Sequence, residues 1–228
     1  MKKAFYVAGA FSLLVACNQS EQQGSTNTTS DTASHSTHNN DTAGTAGNSG
    51  TGNQSGQSMM DLMEKNMDQM KEVESLGSND KDFAAMMKIH HMGALEMARQ
   101  QIAQGTDQQV KDMAQKMLAS QQQEISELDA FLAGSNQNSA ATEKKSPFHE
   151  RVMKEMDDLK MDNGNHSGSI DQQFIQMMIP HHQGGVAMAD LYLKTGAQDQ
   201  KLKAMANKIK TDQQKEIQQM QTWLTNHK

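Results

Sequence analysis

A motif that occurs twice, at an offset of 91 residues, constrains the fold of this chain more than any other feature. The segment 80–91 reads DKDFAAMMKIHH, and the segment 171–182 reads DQQFIQMMIPHH. Further along, Met97-Ala98 matches Met188-Ala189 and Gly105 matches Gly196. A repeat of this length indicates that one supersecondary unit is used twice.

The periodicity within each unit is helical. Apolar residues recur at three- and four-residue steps from Phe83 to Ile102 and from Val110 to Leu132, on either side of Gly105. Because glycine is a favoured residue at the end of a helix, each unit is predicted to be an antiparallel helical hairpin. The sequence has no alternating strand pattern. The predicted fold class is therefore all-α, a four-helix bundle built from two repeated hairpins.

A shorter Met-rich helix is predicted before each hairpin. The first spans about 59–76, and the second begins at Ser146-Pro147, a cap followed by proline at the first helical position. The second is expected to end near Met161. A helical domain over 59–228 would then contain two repeats, about 59–134 and 146–226.

Residues 1–16 have the form of a bacterial export signal, with Lys2 and Lys3 before an apolar stretch too short to span a bilayer comfortably. The stretch leads into Cys17 through Leu-Val-Ala, which resembles the lipobox of bacterial lipoproteins, where the cysteine becomes the lipidated first residue. Cys17 is the only cysteine in the chain. We therefore expect a lipid anchor in the bacterial cell envelope, on the periplasmic or surface side of a membrane. An ordinary signal peptide or an uncleaved anchor is the alternative.

Residues 17–58 are predicted to be the lipidated cysteine followed by a disordered polar tether. From Asn18 to Ser58 no aliphatic residue is larger than alanine, so nothing offsets the entropy cost of ordering. His35 and His38 lie in this stretch as a His-x-x-His pair. Chance polar residues are favoured over a weak metal site there.

Charge and cysteine content exclude several classes of protein. The 21 Lys and Arg against 27 Asp and Glu give a net charge of −6 without a basic run, which argues against a nucleic-acid partner. A single cysteine excludes internal disulfides, Cys-rich zinc or iron–sulfur sites and a paired-thiol redox motif. Aromatic residues are 4% of the chain and methionines number 20, so the core is expected to be aliphatic and rich in methionine.

The paired histidines are the main candidates for chemistry. On a helical wheel of about 100° per residue, Met86, His90 and Met97 share one stripe, and Met87 pairs with His91 beside it. The second unit repeats this arrangement. Adjacent histidines diverge by about 100°, so both are not expected to bind one ion from the same face. The candidate metal ligands are Met86, Met87, His90, His91, Met97, Met177, Met178, His181, His182 and Met188.

This donor set favours copper. Thioether sulfur is a soft donor suited to Cu(I) and Ag(I), and imidazole is a good copper ligand. Thioethers also avoid the disulfide chemistry of an oxidising compartment, whereas zinc prefers cysteine, histidine and carboxylate. The alternative to metal binding is a structural role, in which the methionines fill the core and the histidines form hydrogen bonds across the bundle. The duplication of the arrangement favours metal binding, with Met113, Met117 and Met205 expected to be core filler.

Other side chains leave alternatives open. A stripe of methionines on the leading helix fits either a copper-scavenging surface or a loosely docked helix; its members are Met59, Met63, Met67 and Met70. Four polar residues recur one helix after the histidines, and a solvated face is slightly favoured for them over contact with the histidines; they are Gln121, Glu124, Gln213 and Glu216.

The lone histidines are expected at the surface; they are His149, His166 and His227. Pro180 replaces Ile89 of the first unit, so the two sites need not be equivalent.

The doubled pattern Phe-x-x-Met-Met-x-x-His-His-x-x-x-x-x-Met-Ala, followed by Gln-x-x-Glu-Ile, resembles the bacterial family named domain of unknown function 305. The resemblance covers about 59–223. It implies an exported protein with a ferritin-like four-helix bundle, and a link to copper binding and resistance known for some members. The residues that match the motif are the ten candidate ligands named above.

These observations favour a non-enzymatic envelope lipoprotein that binds copper, Cu(I) in preference, and sequesters it or hands it on. A structural or partner-binding lipoprotein without a tight metal site is the first alternative. A metal-dependent redox enzyme is a weaker one, because the sequence has no Glu-x-x-His pair, phosphate loop or nucleophile elbow. The sequence does not identify a protein partner.

Overall fold

The computed structural model describes residues 57–135, 145–158 and 168–227. These residues contain six helices and no strand. The helices are α1 (Met59–Lys71), α2 (Asn79–Gln104), α3 (Gln108–Ser135), α4 (Pro147–Asp158), α5 (Ile170–Lys194) and α6 (Gln200–Asn226). The all-α prediction is confirmed. The predicted signal peptide and nearly all of the predicted tether lie outside the described residues.

Local sequence explains where three of the six helices begin. Ser58 caps α1 in a capping box with Asp61, and Ser169 caps α5 in the same way with Gln172. Asp199 caps α6 by accepting hydrogen bonds from two backbone N–H groups of its first turn. Within the described part of the chain, no helix is long and apolar enough to cross a membrane.

The first helix ends earlier than the sequence predicts, at Lys71 and not near Leu76. The buried carboxylate of Asp82 accepts a hydrogen bond from the Ser75 hydroxyl at 2.7 Å and one from the Leu76 backbone N–H at 2.5 Å. These contacts hold the chain in a turn before α2, and Gly77 completes it at a φ of 73°.

The two hairpins, α2–α3 and α5–α6, pack together through their first helices. The N-terminal half of α2 shares a core cluster with the C-terminal half of α5, and the reverse pairing forms a second cluster, so α2 and α5 are antiparallel. Helices α1 and α4 each contact both α2 and α5. The result is the predicted bundle of two hairpins, with two shorter helices against the central pair.

Each hairpin holds the loop of the other. Asp171, near the start of α5, accepts hydrogen bonds from the backbone N–H groups of Thr106 and Asp107 in the α2–α3 loop. Asp80, at the equivalent place in α2, accepts from Gln198 and Asp199 in the α5–α6 loop. These reciprocal contacts satisfy backbone N–H groups of the two hairpin loops, directly before α3 and α6. They also fix the hairpins in the register that brings the histidine pairs together.

Candidate metal centre

The four paired histidines lie in the interior, where α2 and α5 cross. His90, His91, His181 and His182 are each 7% exposed or less. As the helical wheel predicts, neighbours on one helix point to different partners, with ring centroids 6.0 Å apart in α2 and 6.3 Å apart in α5. The four rings thus form an inner pair and two outer rings.

The inner pair joins the two repeats. The rings of His90 and His181 lie 3.8 Å apart, centroid to centroid, with 33° between their planes. Nε2 of His90 donates to the backbone carbonyl of His181 at 3.0 Å. Nε2 of His181 donates to Oδ1 of Asn66 at 3.2 Å, while the Asn66 amide donates to the Ile89 carbonyl at 2.8 Å. Equivalent residues of the two units therefore meet, but their hydrogen-bond partners differ.

Asn66 was not identified from the sequence, although a signal was present. It lies three residues after Met63 and four before Met70, so it falls on the buried stripe of α1. A polar side chain on such a stripe needs a partner. Asn66 provides the link between α1 and the inner histidine pair.

Each outer histidine donates to a glutamate of its own hairpin. Nε2 of His91 lies 2.9 Å from Oε2 of Glu124, and Nε2 of His182 lies 2.7 Å from Oε2 of Glu216. Glu124 also accepts from Lys208 of the other hairpin at 2.7 Å. The solvated face favoured for these glutamates is therefore wrong. The sequence showed their recurrence, but only the packing of the helices shows which way they face.

The glutamines beside them are also buried, which corrects the same prediction. Gln121 and Gln213 are each 3% exposed, and their side-chain amides have no hydrogen-bond partner among the described residues. Oε1 of Gln213 lies close to Gly185, a position that also borders the His90 ring. A polar layer thus crosses the middle of the bundle.

Burial keeps the inner histidines neutral. It lowers the pKa of His90 to about 3, with further lowering from the nearby His91 and His182 rings. Burial and the neighbouring His90 ring place the pKa of His181 well below its ordinary value as well. For Glu124 the hydrogen bonds outweigh burial. Burial raises the pKa of this carboxyl group, but the hydrogen bonds from His91 and Lys208 lower it more, so the group stays ionised. The layer therefore combines uncharged imidazoles with an ionised carboxylate.

All four rings present the same nitrogen, Nε2, to a hydrogen-bond acceptor. Each Nε2 faces a carbonyl or carboxylate oxygen, so each Nε2 carries a proton. In a neutral ring Nδ1 then holds the free lone pair. The four Nδ1 atoms are buried and have no hydrogen-bond partner among the described residues. Histidines that bind metals in proteins are typically oriented in this way, with the other ring nitrogen donating to a carbonyl or carboxylate.

The six candidate methionines are all buried, but they divide between two core clusters. Met86, Met87 and Met188 belong to the first cluster. The second cluster contains their counterparts, Met177, Met178 and Met97. Met86 and Met97 lie on the same face of α2 but on opposite sides of His90 along the helix, so they belong to different clusters. Each cluster combines the methionine pair of one repeat with the single methionine of the other.

The remaining methionines mostly pack in the core. Met113, Met117 and Met205 are buried, as predicted. On α1, Met59, Met63 and Met70 are also buried and Met67 is partly exposed. This helix is therefore docked on the bundle through its methionines and does not present them as a surface.

Of the lone histidines, His149 contradicts the surface prediction. It is 3% exposed and its Nε2 donates to the Val73 carbonyl at 2.7 Å. His227 is exposed and stacks on Trp223 at 4.3 Å between centroids. Outside the described residues lie His35, His38, His166 and Cys17.

Carboxylate, imidazole and thiolate groups alone do not form a metal site here. In the part of the chain that the structure describes, no three such side chains are grouped to hold one ion. A site at the histidine layer would therefore need methionine sulfur among its ligands. Met86 and Met87 precede His90 and His91 by four residues, a spacing that places each methionine on the same helix face as a histidine. The second repeat has the same spacing.

Comparisons with known proteins agree with this architecture. The model of the family described as domain of unknown function (DUF305) matches residues 13–132 and 80–224. The Cu(I)-bound form of CopM is 26% identical, with a TM-score of 0.50 over 64% of this chain and 96% of that one. Its Cu(II)-bound form is 25% identical, also at 0.50, over 64% and 97%. A DUF305 fragment from Deinococcus radiodurans is 26% identical, with a TM-score of 0.49 over 67% and 99%.

No relative was found among curated proteins. The two family matches overlap between residues 80 and 132, as expected for a motif that occurs twice, and together they cover most of the chain. The chain therefore belongs to the DUF305 family, a domain of unknown function.

Proposed function

We propose that this protein binds copper, preferentially as Cu(I), through the four paired histidines and the six candidate methionines, which together are called the Met/His layer. The protein sequesters the metal or hands it on without enzymatic turnover. The observation that carries the proposal is the shared state of the four paired histidines. Each has its Nε2 proton engaged and a buried Nδ1 without a hydrogen-bond partner among the described residues. An unpartnered buried acceptor costs stability, and a bound metal would satisfy it.

The ligand chemistry favours a soft monovalent ion. Neutral imidazole and thioether groups add no negative charge, and the inner pair of histidines has no carboxylate partner. A divalent ion would therefore retain more uncompensated charge in a buried site than a monovalent one. Soft sulfur donors also select Cu(I) over harder ions. The similarity to CopM, solved with Cu(I) and Cu(II), supports copper as the metal.

The predicted lipid on Cys17 would place this function in the bacterial cell envelope. Residues 18–58 would then link the bundle to the membrane. Labelling of the protein with a radioactive fatty acid in its own host tests this part. The label should be lost in Cys17→Ser, and labelling that survives the substitution would contradict the anchor.

Metal binding is tested by titrating the full chain in detergent with Cu(I) against a competing chelator. The test variant replaces all four paired histidines with glutamine, whose amide keeps a donor near the Nε2 position but has no Nδ1 lone pair. We expect a loss of at least tenfold in affinity. The matched control is His227→Gln at an exposed position. Equal affinity of the quadruple variant and the wild type would overturn the site assignment.

A second candidate is favoured by the hydrogen bonds themselves. Every paired histidine makes a specific contact through Nε2, so the layer also fits a structural role that fixes the register of the two hairpins. That role predicts a large loss of thermal stability when all four paired histidines are changed to Ala, a smaller loss in the glutamine variant, which keeps a donor at each position, and no tight copper binding by the wild type.

A further inference from the structure

A fifth histidine shares the features of the paired ones but lies outside the repeated motif. His149, in the first turn of α4, is 3% exposed. Its Nε2 donates to the Val73 carbonyl at 2.7 Å, so in the neutral ring the lone pair is on Nδ1. That Nδ1 is buried and has no hydrogen-bond partner among the described residues.

Methionines occur in α4 itself and in the core cluster that α4 joins. Met153 follows His149 by one turn of α4, a spacing that places the two side chains on one face. Val73, which accepts the His149 hydrogen bond, is itself bonded through its backbone N–H to the Met70 carbonyl at 3.3 Å. Met70 and Met156 are buried in the first core cluster, and Met153 packs against it. The ring therefore lies where the start of α4 meets the segment between α1 and α2, and its chain neighbour Phe148 belongs to the same core cluster.

We propose that His149 and Met153 form a separate binding site for a soft monovalent cation, Cu(I) or Ag(I), where the start of α4 meets the segment between α1 and α2. The donors are neutral, and such a set suits a soft ion of low charge better than zinc or a hard divalent ion. Met153 is partly exposed, so its thioether is a donor that a cation from solution can reach. Met70 and Met156, both in the first core cluster, are further candidate sulfur donors.

This site has no counterpart in the first repeat. Counted from the capping serines, Ser58 of α1 and Ser146 of α4, the residue of α1 that corresponds to His149 is Asp61. The site is therefore single, and it binds one cation in addition to any held by the paired histidines. It does not depend on the paired histidines binding metal.

The test is an Ag(I) titration of the full chain in detergent, followed by NMR of the histidine ring nitrogens. Ag(I) is used because it is a redox-stable soft probe. The Nδ1 signal of His149 should shift on binding, and the shift should weaken or vanish in Met153→Leu. His149→Gln keeps a donor for the Val73 carbonyl, and it should bind one fewer Ag(I) than the wild type. His227→Gln is the control and should bind the full number.

The result separates this proposal from the copper function. Shifts at His149 without shifts at the paired histidines would support the new site and overturn the proposed function. Shifts at the paired histidines alone would do the reverse. An unshifted His149 Nδ1 at excess Ag(I) overturns the proposal even if His149→Gln fails to fold, because that measurement uses the wild-type protein.

Discussion

At the scale of single residues, the two glutamates of the histidine layer offer a matched pair. Both accept a hydrogen bond from a buried histidine, but the Glu124 side chain is 7% exposed and that of Glu216 is 22% exposed. Glu124 also binds Lys208, whereas Glu216 pairs with no lysine among the described residues. The two positions therefore differ in how much their charge contributes to the fold.

We expect Glu124→Gln to reduce the free energy of unfolding by about 1–3 kcal/mol, because its neutral amide cannot satisfy both His91 and Lys208. Glu216→Gln should cost about 1 kcal/mol or less, since its site is more exposed and a single neutral acceptor still serves His182. Urea unfolding at neutral pH measures both values. Equal losses would show that Lys208 and burial add nothing at Glu124.

The inner histidines predict the response of the metal-free protein to acid. His90 has an ordinary pKa of 6.5 in the unfolded chain, and burial lowers its pKa to about 3 in the folded protein. Between these two pH values the unfolded side chain takes up a proton that the folded one does not. The unfolded state then binds more protons, so the free energy of unfolding falls as the pH falls through this range. The loss approaches about 1.4 kcal/mol per pH unit for each such group. His181 adds to it in the same direction.

Urea unfolding at a series of pH values between about 7 and 4.5 tests this expectation. The double variant His90→Gln/His181→Gln should lose stability less steeply than the wild type over that range. His227→Gln, at an exposed stacked position, serves as the control and should keep the wild-type slope. A double variant with an unchanged slope would show that other groups govern the acid response.

Sequence reasoning identified a set of histidines and methionines that are buried together, but not their surroundings. The repeated His-His pairs and their methionines are visible as a pattern, and their burial follows from the apolar stripe. The direction in which Glu124 faces, and the burial of His149, depend on which helices pack beside them. A helical wheel shows one helix and contains no information about its neighbours.

At the scale of helices, two equivalent glycines differ in their neighbours. Gly93 in α2 lies directly against the Asn66 side chain of α1, so a Cβ there would overlap with the Asn66 amide. Gly184, its counterpart in α5, has only Nε2 of His90 nearby, at 3.6 Å from an added Cβ. The close approach of α1 to α2 therefore depends on Gly93, whereas Gly184 has room for a methyl group.

We expect Gly93→Ala to displace α1 and to break the contact between Asn66 and His181. Hydrogen exchange of the backbone amides in α1 should accelerate by at least tenfold, with little change in α3. Gly184→Ala is the matched control and should leave exchange in α1 unchanged. It should keep or raise stability, because alanine favours a helix by about 1 kcal/mol over glycine. Unchanged α1 exchange in Gly93→Ala would mean that Asn66 can move aside freely.

A helix boundary can be predicted from the sequence where a residue at the boundary itself, such as a glycine or a proline, ends or starts the helix. Gly105 marks the end of the first hairpin helix, and Pro147 marks the start of α4. The early end of α1 was not predictable in this way. It depends on Asp82 of α2, whose carboxylate accepts hydrogen bonds from Ser75 and Leu76 in the turn before that helix.

At the scale of the whole molecule, the duplication produces two methionine clusters on either side of one histidine layer. Because α2 and α5 are antiparallel, each cluster takes its methionine pair from one repeat and its single methionine from the other. Neither repeat therefore contains a complete set of donors. Under the proposed function, the metal capacity of the bundle should divide between the clusters and not between the repeats.

Leucine substitutions in one cluster test this division. The triple variant Met86→Leu/Met87→Leu/Met188→Leu removes the candidate sulfur atoms of the first cluster, and should lose about half of the Ag(I) bound by the Met/His layer. Methionine and leucine are similar in volume, so each change should cost less than about 1.5 kcal/mol and leave the fold intact.

Two further variants complete the comparison. Met113→Leu/Met117→Leu changes core methionines outside the motif and should bind as much Ag(I) as the wild type. A variant that mixes the clusters but stays within one repeat, Met86→Leu/Met87→Leu/Met97→Leu, should weaken both halves, because it removes the pair from one cluster and the single methionine from the other. Complete loss of binding in the first-cluster variant would indicate one shared site across the layer and would contradict a division by cluster.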